Sequence, residues 1–424
     1  NARYDHAGTK TAPGHAAIAT GCYANRNGIV GNRWFDRKTN TTVNSVDDET
    51  VELLGAAGIG HSPRNLQTYT MGDMLRRHTN FRSKVVSISN KDRSAVLMGG
   101  KFGEAFWFDD SAVVTSGYYM KSLPPWIEEF NSSGRMQQYF GTVWTEMLPG
   151  IAGIMCDHDD VPYEKDVAGL GRSFPHAITG LDRSRRTPSY YEALLYSPFM
   201  TGLLLDVTCR AVAAESLGTR GVTDMLCIGV SQTDELGHLY GPDSHEVFDN
   251  VLRTDSMLAG FLSFLDRKIG LNNCVIVVTS DHGIAPIPEQ VRKISPRSQA
   301  GRISSGEIKK MATGMLDTVF GKPPAGKQWL NQVIESDLYI NREVLAAKNI
   351  SLEAATAVLN DSLAHTGPFA GAYTRAQLGH EAFPDRMGKQ FQNSFNGQRS
   401  GDIIFLLRPF HSMSGDSAGT SHGP

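Results

Sequence analysis

Two stretches of this chain run apolar without a break and then stop on ionisable side chains: MLCIGVSQTDELGH from Met225, and NCVIVVTSDHG from Asn273. A strand with one face in water alternates apolar and polar residues. A run without alternation is covered on both faces, as in a parallel sheet lined by helices. Between the two, HEVFDNVLRTDSMLAGFLSFLDRKIG sets Val247, Val251, Met257, Leu258, Phe261 and Leu265 at the spacing of one helical face, with Gly270 as the stop. Strand, helix, strand is a βαβ unit, which constrains the chain to the α/β class. SKVVSISN from Ser83 predicts a third strand, led in by a helix over TMGDMLRRH, and DIIFLLRPF from Asp402 predicts a fourth.

The rest of the chain divides by texture. Residues 101–190 mix aromatics, Gly and Pro without clear periodicity and read as a loop-rich insertion. Residues 291–397 carry a capping box from Ser304 to Glu307, the helical stretch EIKKMATGMLDTVFG and a second helix in SLEAATAVLNDSLAH, and read as a smaller α+β insertion. The expectation is one discontinuous domain over 1–424, with core 1–100, 191–290 and 398–424 and insertions 101–190 and 291–397. A hydrophobic fraction of 40% over 424 residues supports a large core. Lys and Arg total 41 against 44 Asp and Glu, which argues against a nucleic-acid partner. No apolar run approaches the roughly 20 residues of a membrane span. Five cysteines form no C-x-x-C pair, and Cys227 and Cys274, inside apolar runs, are expected to be buried thiols.

In an open α/β sheet, ligands bind beyond the carboxyl ends of the strands, and the polar clusters stand there. Asp234 and His238 follow the first run, an Asp-x-x-x-His pair one helical turn apart; Asp281 and His282 follow the second. Each pairs a carboxylate with an imidazole, donors that suit one metal ion. Taken singly, either is more often a capped helix start or a satisfied polar loop. The terminal GTSHGP offers His422 between small residues, which let the backbone crowd a metal. Near the start, Thr11 precedes Ala12, Pro13, Gly14 and HAAIATG, the pattern of a helix N-cap with Pro in the first turn. An ordinary capping threonine is one reading. The other uses the free N–H groups and positive dipole end of that helix to hold a phosphate, with the hydroxyl as nucleophile.

Together TKTAPGHAAIATG, NGIVGNRWFDR, SKVVSISNKDRSAVLMGG, AFWFDD, SQTDELGHLYGPDSHE, VVTSDHG and GTSHGP resemble the threonine-nucleophile bacterial alkaline phosphatases, a branch of the alkaline phosphatase superfamily related to the nucleotide pyrophosphatase/phosphodiesterases. The resemblance spans nearly the whole chain. It implies a doubly wound, mostly parallel sheet flanked by helices, with inserted cap segments. It also implies Thr11 as nucleophile, with Thr9 and Thr20 as bystanders, and Asn32 as a phosphate contact. Two zinc ions are implied, one held by Asp234, His238 and His422, the other by Thr11, Asp281, His282 and a further aspartate that has no match in this sequence. A periplasmic or secreted location is implied. The family's remaining aspartate ends a strand ahead of the nucleophile motif, so the chain is expected to be truncated at both ends and to hold the second zinc poorly.

NKDRSA decides the subclass expected. Lys91 and Arg93 are two apart, and on an extended strand end they point to one side and reach one anion. In the resembling monoesterases this pair binds the two non-bridging oxygens that a monoester leaves free, and a dianion gains more from two cations than a diester does. The expected activity is a zinc-dependent phosphomonoesterase with phosphate monoesters as substrates, acting through a phosphothreonine intermediate. The alternatives are a phosphodiesterase or nucleotide pyrophosphatase on the same fold, and an inactive fragment that binds metal without turnover. A sulfatase is disfavoured because TAPGH is not the C-x-P-x-R motif of formylglycine enzymes. Trp107, Phe108 and residues 291–397 are expected to line the outer pocket.

Overall fold

The computed structural model describes residues 3–380 and 383–422. Two compact units divide the chain: one comprises Asn1–Ala17, Cys22–Ser45 and Asp281–Pro424, the other Ile18–Gly21 and Val46–Ser280.

The second unit is built on six strands: β1 (Asp47–Leu54), β2 (Ile59–His61), β3 (Val85–Ser89), β4 (Glu104–Asp109), β5 (Ala112–Ser116) and β6 (Met225–Gly229). Their spatial order is β6-β3-β4-β5-β1-β2. Strands β6, β3 and β4 run parallel, while the pairings of β4 with β5, β5 with β1 and β1 with β2 are antiparallel. The α/β reading holds and the sheet is mixed: the parallel arrangement expected for most of it is confined to one end. Every residue of β3 is buried, as its unalternating VVSIS requires. The Asp92–Gly99 helix packs on β3, β4 and β6, and the Phe199–Ala214 helix packs on β3. The helix over His245–Lys268 ends ahead of Gly270, which sits at φ 84°. Thr70 and Asp73 close a capping box on the Met71–His78 helix.

Two expectations fail in this unit. Residues 101–190 are not loop-rich throughout, since β4 and β5 form a hairpin in the main sheet. Its two-residue turn, Asp110 and Ser111, puts Asp110 in the left-handed region at φ 44°, a position Asp tolerates. The run after Asn273 is not a strand: 274–280 carry no strand, and Val275, Val277 and Val278 are 95%, 78% and 83% exposed. Strand β6 is the edge of the sheet on its side. A strand exists only through a neighbour's backbone groups, so an apolar run without one remains irregular.

The larger sheet of the first unit has four antiparallel strands, β7 (Leu330–Ile334), β8 (Asp337–Ile340), β9 (Phe369–Thr374) and β10 (Ile403–Leu407), in the order β7-β8-β10-β9. Helices Ser305–Phe320 and Leu352–Ala364 bury Ile308, Leu316, Leu359 and Leu363 against Trp329, Leu338, Phe369 and Phe405. The capping box from Ser304 to Glu307 is formed as the sequence predicts. The strand expected from Asp402 is β10, central in this smaller sheet.

Candidate functional site

In the first unit, Thr11 is the first residue of the Thr11–Thr20 helix and is 4% exposed. Its hydroxyl Oγ1 lies 3.4 Å from His282 Nε2. Gly14, three residues on, allows the helix to approach: a Cβ there would fall 2.4 Å from the Asp281 carbonyl oxygen, a distance no side chain tolerates. His282 Nδ1 is 3.1 Å from the Gly283 carbonyl oxygen, which assigns the proton to Nδ1 when the ring is neutral and leaves Nε2 a lone pair. Asp281 Oδ2 is 3.2 Å from that Nε2 and 3.1 Å from His15 Nδ1. Burial alone would raise the Asp281 carboxyl, but hydrogen bonds and charge from His15 and His282 outweigh it and hold the group well below the usual carboxylate range. The His422 ring meets His282 edge to face, centroids 4.2 Å apart. Gly423 and Pro424, which end the GTSHGP motif, lie outside the described residues.

Asn32 supports the same helix end. Its Oδ1 accepts a hydrogen bond from the Ala12 amide at 2.8 Å, and its own backbone N–H donates to Glu335 Oε1 at 3.0 Å. Glu335 also pairs with Lys10 at 3.0 Å. The Ala12 bond takes up the Asn32 carbonyl oxygen, so its amide N–H groups are what it has to offer a bound anion.

In the second unit, Asp234 and His238 lie on the Gln232–Tyr240 helix, with Asp234 Oδ1 3.3 Å from His238 Nε2. Lys91 pairs with Asp234 and, at 2.9 Å, with Glu235. Burial opposes the Lys91 charge, but Glu235 and Asp234 outweigh it and push the ammonium up to about 12. The strand-end geometry expected for Lys91 and Arg93 is not what forms. Strand β3 stops at Ser89, Lys91 is the N-cap residue of the Asp92–Gly99 helix, and Arg93 falls in its first turn. The period-two argument therefore lapses, because Asp92 starts a helix where an extended end was expected. Trp107 and Phe108 are 3% and 8% exposed and belong to the interior rather than to a pocket wall. Cys227 is buried as expected, Cys274 only partly, and both are free thiols.

The donor chemistry in the first unit fits a metal ion. His282 Nε2 and Asp281 Oδ2 converge to 3.2 Å with the Thr11 hydroxyl 3.4 Å from the same nitrogen, and a divalent cation can take the place of the proton that the pair shares. An imidazole nitrogen with carboxylate and hydroxyl oxygens is a set that zinc accepts. Sequence reasoning gave no role to His15, Glu335 or Glu235. His15 stands four residues after Thr11, one turn along the same helix, and that spacing was a readable signal. Glu335 carried none.

The type I phosphodiesterase/nucleotide pyrophosphatase family matches residues 3–423. Alkaline phosphatase PhoV of Synechococcus elongatus is 31% identical over 405 residues, covering 94% of this chain and 71% of that protein. Alkaline phosphatase PafA of Elizabethkingia meningoseptica is 30% identical over 440 residues, covering 100% of this chain and 77% of that one. A Myroides odoratus protein named as a calcium-transporting ATPase is 32% identical over 432 residues, with coverage of 100% and 77%. The crystal structure of wild-type PafA matches with a TM-score of 0.90 over 100% of this chain and 80% of that one, at 30% identity. A second PafA crystal structure, with TM-score 0.86, carries substitutions at a threonine, an asparagine 21 residues later, and a lysine and an arginine two apart.

Proposed function

The chain belongs to the type I phosphodiesterase/nucleotide pyrophosphatase family and is a hydrolase, an alkaline phosphatase; from that premise we propose that it hydrolyses phosphate monoesters by transferring the phosphoryl group to Thr11. The observation that carries this reading is the Thr11 hydroxyl, buried at a helix N-terminus and 3.4 Å from the Nε2 of His282. The positive end of the helix dipole favours an anion in front of the hydroxyl, while the Ala12 and Gly14 N–H groups are already bonded to Asn32 and to the Lys10 carbonyl. The substituted residues of the PafA variant agree in type and spacing with Thr11 and Asn32, and with Lys91 and Arg93.

In this proposal Asp281, His282 and Thr11 hold one zinc ion, and Asp234, His238 and His422 a second. When bound, such ions lower the pKa of the oxygen they contact and offset charge on the phosphoryl group. The remaining steps belong to the chain. His15 holds Asp281 ionised and in place. Thr11 oxygen attacks phosphorus as the ester oxygen departs, and water then releases phosphate from the phosphothreonine. Asn32 donates from its amide to a phosphoryl oxygen. Lys91 spends two ammonium donors on Asp234 and Glu235 and has a third for phosphate, with Arg93 beside it.

The family also includes phosphodiesterases, and one comparison separates the two activities. 4-Nitrophenyl phosphate and bis(4-nitrophenyl) phosphate are assayed with the wild type, Lys91→Ala and Arg93→Ala. A monoesterase prefers the first substrate, and each substitution lowers its kcat/KM by about 10²–10³-fold, the scale of one lost transition-state donor, with a smaller effect on the diester. A preference for the diester, untouched by either substitution, would establish the phosphodiesterase instead.

A further inference from the structure

We propose that Asp47, His61 and Asp92 form a metal site of their own, separate from the residues assigned above, which takes a divalent cation of the zinc or manganese class. One ligand atom from each of the three lies within 4.8 Å of the other two. His61 Nδ1 is 3.2 Å from Asp47 Oδ1, and His61 Nε2 is 3.8 Å from Asp92 Oδ2. All three residues belong to the second unit.

The arrangement is fixed by regular structure. Asp47 opens β1 and faces His61 of β2 directly across the antiparallel ladder, so register brings the two side chains together. Asp92 is the first residue of the Asp92–Gly99 helix; its Oδ1 accepts the Arg93 N–H at 2.6 Å and meets Arg93 Nη1 at 3.8 Å, while Oδ2 is the oxygen nearest His61. The Trp107 ring lies 5.3 Å from the His61 ring and limits its swing. Ligands on two paired strands and a helix start are held more firmly than ligands on loops.

Hydrogen bonding does not account for the cluster. His61 Nδ1 is buried and has no hydrogen-bond partner among the described residues; Asp47 is close but off the line such a bond needs. The Asp92 contact at 3.8 Å is too long for one. A neutral imidazole has only one N–H to give to two carboxylates. The alternative, an imidazolium between them, would place both nitrogens in charge-assisted bonds, and neither is formed. Two carboxylate oxygens and one imidazole nitrogen suit zinc or manganese, with water completing the coordination. Asp92 lies between Lys91 and Arg93, so an ion here would fix the turn that carries both. That consequence rests on the phosphate role proposed for the pair, and the site itself does not.

The test is a count of bound metal. Protein stripped with a chelator is equilibrated with Zn²⁺ or with Mn²⁺, desalted and measured by mass spectrometry, for the wild type, His61→Ala, Asp47→Asn and Asp281→Asn. The site requires that His61→Ala and Asp47→Asn each bind one equivalent less than the wild type, and that adding His61→Ala to Asp281→Asn removes one further equivalent. Unchanged stoichiometry in a folded Asp47→Asn variant overturns it even if His61→Ala fails to fold. Crystals grown with Zn²⁺ give a second reading: an anomalous peak among Asp47, His61 and Asp92 supports the site, and none at saturating Zn²⁺ overturns it. Loss of metal in Asp281→Asn alone bears on the proposed catalytic ions and leaves this count intact.

Discussion

The Thr11 hydroxyl faces His282 Nε2 at 3.4 Å, and the other nitrogen of that ring lies 3.1 Å from the Gly283 carbonyl oxygen. The carbonyl thereby sets which imidazole nitrogen is available to the hydroxyl. Thr11→Val removes the oxygen and keeps the branched shape in a site that is 4% exposed. Monoesterase activity is expected to fall by about 10³-fold or more, as when an enzyme loses its nucleophile, while the circular dichroism spectrum is unchanged. A variant within tenfold of wild type would remove Thr11 from the chemistry.

His15 acts one step back from the reacting groups. Its Nδ1 lies 3.1 Å from Asp281 Oδ2 and 2.9 Å from the Thr11 carbonyl oxygen, within the same helix turn. Residues that orient a metal ligand typically change metal affinity by about 10–100-fold when removed. His15→Ala is expected to weaken zinc binding by that factor in a competition titration with a chromophoric chelator, and to lower activity at limiting zinc more than at saturating zinc. Equal loss at both zinc levels would show that His15 serves the helix and not the ligand.

What the sequence made readable follows from how local each determinant is. Strands β3 and β6 are legible because VVSIS and MLCIG are short apolar runs that carry their strand signal in their own composition. The capping box at Ser304 is legible because both of its bonds lie within four residues. Residues 274–280 have the composition of a strand and form none, because the pairing that makes a strand is not a local property. The direction of Arg93 depended on where a helix begins, and a K-D-R triplet leaves both outcomes open. Glu335 supports Asn32 from the β7–β8 turn, about 300 positions away, held there by tertiary packing with no spacing to announce it.

Asp337 gives the first unit a pH dependence of defined sign. It opens β8, and burial, reinforced by Glu335, raises its carboxyl from 3.8 to about 7 against the opposing Gly401 N–H, Lys10 and Arg37. A carboxyl with a raised folded-state value binds its proton more tightly folded than unfolded. Its contribution is therefore intact below pH 3.8, shrinks as pH rises from there, and is fully lost above about 7. At about 1.4 kcal/mol per pKa unit, the loss is of order 4–5 kcal/mol at alkaline pH. Asp337→Asn keeps an oxygen for the Gly401 N–H and never ionises. The variant should unfold several degrees above wild type at pH 8, the gap closing as pH approaches 4. A gap that stays constant across that range, or widens toward acid, would show that Asp337 is ionised in the folded protein throughout.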